Sequence, residues 1–161
     1  MGDPVAEELL QLNQKLLESI AQADWATYLE LCDAGLTAFE PEAQGQLVKG
    51  LDFHHFYFRL GAGQNPQQTT MCSPHVRVLG DVAVITYVRL NQRQTSDGAP
   101  IVHSFEETRI WYRQNGRWKH VHFHRSVPTR SYALAVQVPV QSLREWTTHH
   151  PIEAPASRKM Q

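Results

Sequence analysis

The sequence predicts an α+β domain in which helices come first and an antiparallel meander follows. Apolar residues early in the chain recur at helical spacing, from Val5 through Leu9, Leu12 and Leu16 to Ile20. From about residue 69 the period switches to two, giving four extended runs. Those runs are parted by turn-forming stretches at Gly80-Asp81, Ser96-Asp97-Gly98 and Asn115-Gly116. One face of such a sheet must be buried, and the preceding helices are the surface available to cover it.

The first helix has its stripe widened by Leu10 and Leu17, with Glu7, Gln11, Lys15 and Glu18 on the opposite side. Asp24 suits the N-cap of a second, short helix, "WATYLELC", expected to stop at Asp33-Ala34-Gly35 with Gly35 as a left-handed C-cap. A short strand through Phe39, a turn around Pro41 and Gly45, and a second extended piece before Gly50 follow. Residues 51–60 read as a third helix. Phe53, Phe56, Tyr57 and Leu60 fall on one face of it, and Leu51 and Phe58 on the other, beside His54 and His55. A surface helix needs one apolar stripe, so this one is expected to be covered twice, by its own domain and by something else.

The four strands are expected at about 69–79, 82–95, 101–114 and 117–126. Residues 1–126 form the expected domain and 127–161 an extension. In the extension Tyr132, Leu134, Val136, Val138 and Val140 alternate with small or polar residues, and Pro139 suits a sheet edge or the end of a strand. "LREWTTHH" suits a turn or two of helix, and "PIEAPASRKMQ" a disordered tail.

A chain of 161 residues suits a single domain with its own core. The formal net charge of −1 gives no basic excess for nucleic acid or an anionic membrane, so partners must be recognised locally. No apolar run approaches the ~20 residues of a membrane span, and the opening lacks the pattern of a secretory signal. Cys32 and Cys72 have no metal-type spacing and read as free thiols of a reducing compartment. A cytoplasmic location is expected.

Three arginines stand on strand faces that also carry large apolar groups: Arg89 with Ile85 and Tyr87, Arg109 with Phe105 and Trp111, Arg125 with Val121 and Phe123. Whether the last two share a face depends on the Asn115-Gly116 turn. A two-residue loop sets Arg109 opposite His122 and sends Arg125 to the other side. A three-residue loop with Gly116 as a bulge sets Arg109 opposite Val121 and Phe105 opposite Arg125. The second gathers Phe105, Trp111, Val121 and Phe123 on one face and is preferred; Glu107 then lies between two arginines. Two readings of the arginines stay open. Each neutralises a buried carboxylate, or together they hold excess positive charge suited to a carboxylate ligand, which the planar guanidinium fits.

Other chemistry finds less support. His120, His122 and His124 share a strand face on simple parity, but the outer two stand too far apart to hold one ion easily, and no metal site is expected. Neither cysteine sits in a nucleophile signature, and "GAGQ" follows a helix rather than a strand, so it is no phosphate loop. Glu107 is the candidate general base, yet Arg109 on the same face lowers its pKa. His54 is the other ionisable group that could point inward. No cofactor and no catalysis are expected.

The strings "DWATYLELCDAG", "LTAFEPEAQGQLVKGLDFHHFYF", "GDVAVITYVRLNQ" and "SFEETRIWYRQNGRWKHVHFHRS" together resemble the association (hub) domain of calcium/calmodulin-dependent protein kinase II, over roughly residues 6–126. The resemblance implies a nuclear transport factor 2-like (cystatin-like) cone, with N-terminal helices packed on a strongly curved antiparallel sheet. It implies self-assembly through subunit pairs into two stacked rings of about twelve to fourteen or more copies. It also implies a pocket to which Arg89, Arg109, Arg125 and Glu107 contribute, with His54 near its mouth, that takes small carboxylates or acidic peptides. Phe53, His55 and Phe58 are the candidates for subunit contact. With no kinase domain in sight, the chain is expected to be a free-standing hub, able to co-assemble with the hubs of a full-length kinase.

The sequence departs from the family's pattern in places. His55 stands where arginine is usual, and His120 where an apolar residue is usual. Gly61, Ala62 and Gly63 replace a longer loop carrying a tryptophan near the pocket mouth. Residues 127–161 extend past the usual end. The alternative reading is a dimeric binding protein or enzyme of the same fold that uses His54, Glu107 and the arginines on a carboxylate substrate.

Overall fold

The computed structural model describes residues 3–128; the strand and helix expected within the extension lie outside the described residues. Helix α1 (Pro4–Ala21) starts where Asp3 accepts a hydrogen bond from the Val5 N–H at 3.0 Å, with Pro4 in the first turn. Its stripe buries Leu9, Leu16 and Leu17 completely. Each such leucine stabilises the fold by about 1.5–3 kcal/mol. Asn13, also fully buried, ties the helix to the sheet by accepting from the Trp111 indole N–H at 3.3 Å.

Helix α2 (Trp25–Leu31) is capped by Asp24, whose carboxylate accepts from the Thr27 N–H at 3.1 Å. The expected end at Gly35 is corrected. The chain leaves the helix at Leu31 and runs straight into strand β1 (Cys32–Phe39), with Gly35 inside it. Cys32, Leu36 and Ala38 are buried, and the extended backbone brings all three to the core. A one-turn 3-10 helix at Pro41–Ala43 and a two-residue strand β2 (Val48–Lys49) lead to helix α3 (Asp52–Arg59).

Strands β3 (Gln67–Leu79), β4 (Val82–Gln94), β5 (Pro100–Gln114) and β6 (Arg117–Ser126) form the meander close to the expected bounds. The sheet has six strands in the order β2-β1-β6-β5-β4-β3. Strand β1 lies parallel to β6, and every other pair is antiparallel. This is the α+β arrangement expected.

The β5–β6 connection overturns the preferred register. Asn115 and Gly116 form a two-residue turn, both with positive φ (50° and 78°), and Gln114 pairs with Arg117. Paired positive φ values suit the right-handed twist of the flanking strands. The extra residue sits further along, in β6: Trp111 pairs with His120 and Ile110 with His122, so Val121 is bulged. Past the bulge Arg109 faces Phe123 and Glu107 faces Arg125. Arg125 therefore still joins the inner face, but through a bulge and not through the turn. The same bulge corrects the shared histidine face: His120 is buried beside Trp111, while His122 and His124 pair with the opposite set of β5 residues.

Candidate functional site

On the inner face of the meander, Tyr87 of β4 pairs with Glu107 of β5, and Glu107 pairs with Arg125 of β6. One step along, Ile85 pairs with Arg109, and Arg109 with Phe123. Period-two alternation thus places charged groups in a layer that would otherwise be apolar.

Glu107 is the centre of this layer. One of its oxygens accepts from Arg109 Nε at 3.1 Å and Nη2 at 2.9 Å, and also from the Tyr87 hydroxyl. The other faces Arg89 Nη1 at 3.5 Å. Arg89 in turn donates from Nε to Thr69 Oγ1 at 3.0 Å. Arg89, Glu107 and Arg109 are each no more than 3% exposed. Burial pushes the Glu107 pKa up, but Arg109, Arg89 and the Tyr87 hydroxyl outweigh it and hold the carboxyl at about 2. A carboxylate so firmly ionised is a weak base, poorly suited to proton abstraction.

Behind Arg109 lies His120, fully buried. Arginine can only donate, so His120 Nε2, 3.3 Å from Arg109 Nη1, is the acceptor. Nδ1 then carries the proton and faces Cys32 Sγ at 3.6 Å. Burial, reinforced by the Arg109 charge, pushes the His120 pKa well down, and burial lifts the Cys32 thiol to about 12. Both groups are neutral supports of the arginine layer.

The opposite rim comes from the segment after β1 and from α3. Glu40 accepts from Arg125 Nη2 at 2.9 Å and from His54 Nε2 at 2.9 Å, and Glu42 also takes Arg125 Nη2. The Arg125 guanidinium lies over the Phe105 ring at 5.2 Å. Two buried atoms here, His54 Nδ1 and Arg125 Nε, have no hydrogen-bond partner among the described residues.

These groups surround a cavity of about 200 Å³ lined by Arg89, Arg109, Arg125 and His54, with Tyr28, Phe58 and Phe123 among its apolar walls. A second hollow of about 440 Å³ adjoins it, sharing Ile20, Glu42, Arg89 and Arg125 and walled by Gly61, Ala62 and Gly63. Arg89, Arg109, Arg125, His54 and Glu107 thus lie together. Glu40 and Glu42, which sequence parity did not assign to the pocket, lie with them. They sit more than forty residues from the nearest of the arginines, and only the "AFEPEA" string pointed to them.

Helix α3 presents two faces. His55 stacks on Trp25 at 4.4 Å between ring centres, and Phe58 packs on Tyr28 at 4.7 Å, so both rings are engaged within the chain. Phe53 is half-buried, and Phe56, Tyr57 and Leu60 form the exposed strip. Among the described residues there is no cluster of three metal-type ligands, and no helix is long and apolar enough to cross a membrane.

Comparison with known proteins places this geometry in a family. The profile described as the calcium/calmodulin dependent protein kinase II association domain matches residues 5–129. The chain belongs to that family. Its association domain is 46% identical, over 123 residues and 74% of the chain, to the delta subunit of the type II kinase of Oryctolagus cuniculus, and the chain spans 23% of that relative's length. The hub homology domain of Chlamydomonas reinhardtii superposes with a TM-score of 0.72 at 46% identity, covering 76% of this chain and 98% of that one. A nuclear transport factor 2-like superfamily protein of Salmonella enterica shares the fold of this hub at a TM-score of 0.64 and 20% identity, covering 78% of this chain and 92% of its own. The cone fold expected from the sequence is therefore the fold of this association domain.

Proposed function

We propose that the chain is a self-assembling oligomerisation scaffold whose copies close into two stacked rings, about twelve to fourteen or more in number, without catalysis of its own. The observation that carries this reading is the association-domain match across nearly all of the described residues. The exposed strip of Phe56, Tyr57 and Leu60, with half-buried Phe53 beside it, is the α3 surface on which the next subunit would pack. His55 and Phe58 would then act from beneath, by fixing the helix on Trp25 and Tyr28. Residues 127–161 extend the domain and modify assembly. Whatever the hub is joined to, or co-assembles with, including the hubs of a full-length kinase, gains effective concentration.

The pocket is a carboxylate site. Its support is the convergence of Arg89, Arg109, Arg125 and His54 around one cavity, with Glu107 behind them holding Arg89 and Arg109, together with the buried Arg125 Nε–H, which has no partner among the described residues. A small carboxylate or an acidic side chain of a peptide is the ligand class.

Native mass spectrometry of the intact chain, and of a version ending at Ser126, tests the scaffold. A mass of many subunits is expected, altered by truncation. A monomer or dimer in both forms, across protein concentrations, would overturn it in favour of a dimeric binding protein of the same fold. Arg125→Gln should weaken carboxylate binding and leave the assembled mass unchanged.

A further inference from the structure

We propose that Glu42 is a built-in competitor for the pocket, occupying Arg125 in the free chain and giving way to an external carboxylate. This rests on the carboxylate reading of the same site.

Among the described residues the charges of the site balance: Arg89, Arg109 and Arg125 face Glu40, Glu42 and Glu107. An added carboxylate would leave a partly buried cluster with a surplus negative charge, which is costly unless one of the resident carboxylates withdraws. The three differ sharply in how firmly they are held. The Glu107 side chain is 0% exposed and bound by Tyr87 and two arginines. Glu40 is 7% exposed and bridges His54 and Arg125. Glu42 is 40% exposed, and among the described residues its one polar side-chain contact in the site is with Arg125. It stands on the one-turn 3-10 helix, which ends at Gln44 in the left-handed conformation. Swung outward, Glu42 returns to water at little cost.

The way Arg125 is bound points in the same direction. Glu40 and Glu42 both approach Nη2, while Nε is buried with no partner among the described residues. A guanidinium engages a single carboxylate best through two parallel N–H bonds. Once Glu42 leaves, an incoming carboxylate can span Nε and Nη2 of Arg125 in that way. Glu42 also lines both hollows, so its departure widens the passage between them.

Calorimetric titration of the full chain with butyrate tests this, comparing wild type, Glu42→Gln and Glu106→Gln. Glu106 is exposed on the opposite sheet face and controls for net charge. Glu42→Gln should bind roughly tenfold more tightly, equivalent to a wild-type pocket open about one-tenth of the time. Glu106→Gln should match wild type. If wild type binds and Glu42→Gln binds equally or more weakly, the competitor role is overturned and the pocket reading stands. An equal gain in both variants reduces the effect to net charge and also overturns it. If neither wild type nor Glu42→Gln binds butyrate, the pocket reading falls and this inference with it.

Discussion

Arg109 and Glu107, two residues apart on β5, meet side by side with their side chains 1% and 0% exposed, Nη2 and Nε lying 2.9 and 3.1 Å from one carboxylate oxygen. Extended residues two apart share a face, but a pair this close is seldom buried so deeply. It persists because Tyr87, Arg89 and His120 satisfy the remaining polar atoms. Glu107→Gln removes the charge that two arginines face. The loss expected in chemical denaturation is about 3–5 kcal/mol, the cost of breaking a buried pair from one side.

The same pair sets an acid limit. The folded-state pKa of Glu107, about 2, lies below its ordinary value of 4.5, so the folded state binds the proton less readily than the unfolded chain. Its contribution is present above pH 4.5 and is lost as pH falls toward 2, amounting to about 3 kcal/mol in all. Denaturation midpoints measured between pH 5 and 2 should fall steeply in wild type and less steeply in Glu107→Gln.

His120 acts in a higher pH range. Around it stand Arg109, Cys32, His54, His122, Trp111 and Phe123, and burial together with the Arg109 charge opposes its protonation. The unfolded chain takes that proton near pH 6.5 and the folded state does not, so stability is full above pH 6.5 and declines as pH falls below it. His120→Leu should flatten the slope between pH 6.5 and 5 by about one proton, even though it lowers stability at pH 8.

At the β5–β6 turn Gly116 has φ of +78°, and a side chain added there would meet open space. Strain, not collision, decides the outcome. Gly116→Ala should cost about 1 kcal/mol in thermal unfolding with the fold unchanged.

On α3, Leu60 is 69% exposed and Phe56 52%. Charge placed there leaves the core untouched. Phe56→Asp with Leu60→Asp should keep the wild-type circular dichroism and lower the native mass; an unchanged mass would remove this strip from the subunit contact.

Much of the fold was legible because burial has a period. The stripe from Val5 to Ile20, the four alternating runs and the Asp24 cap depend on local spacing and local hydrogen bonds, and each lies where expected. Gly35 misled because glycine marks a helix end only where φ must be positive. Here Cys32, Leu36 and Ala38 gain more from burial on a strand than the chain would from a capped helix. The turn at Asn115-Gly116 misled differently. Its residues suit the tight loop that forms, but the extra residue that restores the inward face of Arg125 lies at Val121, where residue type gives no mark of a bulge.

By itself the sequence determined the order of elements, the inward arginines and the family, since all three are carried by residue type and spacing. Tertiary structure decided the charge balance of the pocket. A bulge at Val121 turned Arg125 inward, and the chain after β1 delivered Glu40 and Glu42 to it from more than eighty residues away in sequence. Coulombic pairing acts through space, so which carboxylate meets which guanidinium follows only once the sheet has closed on the helices.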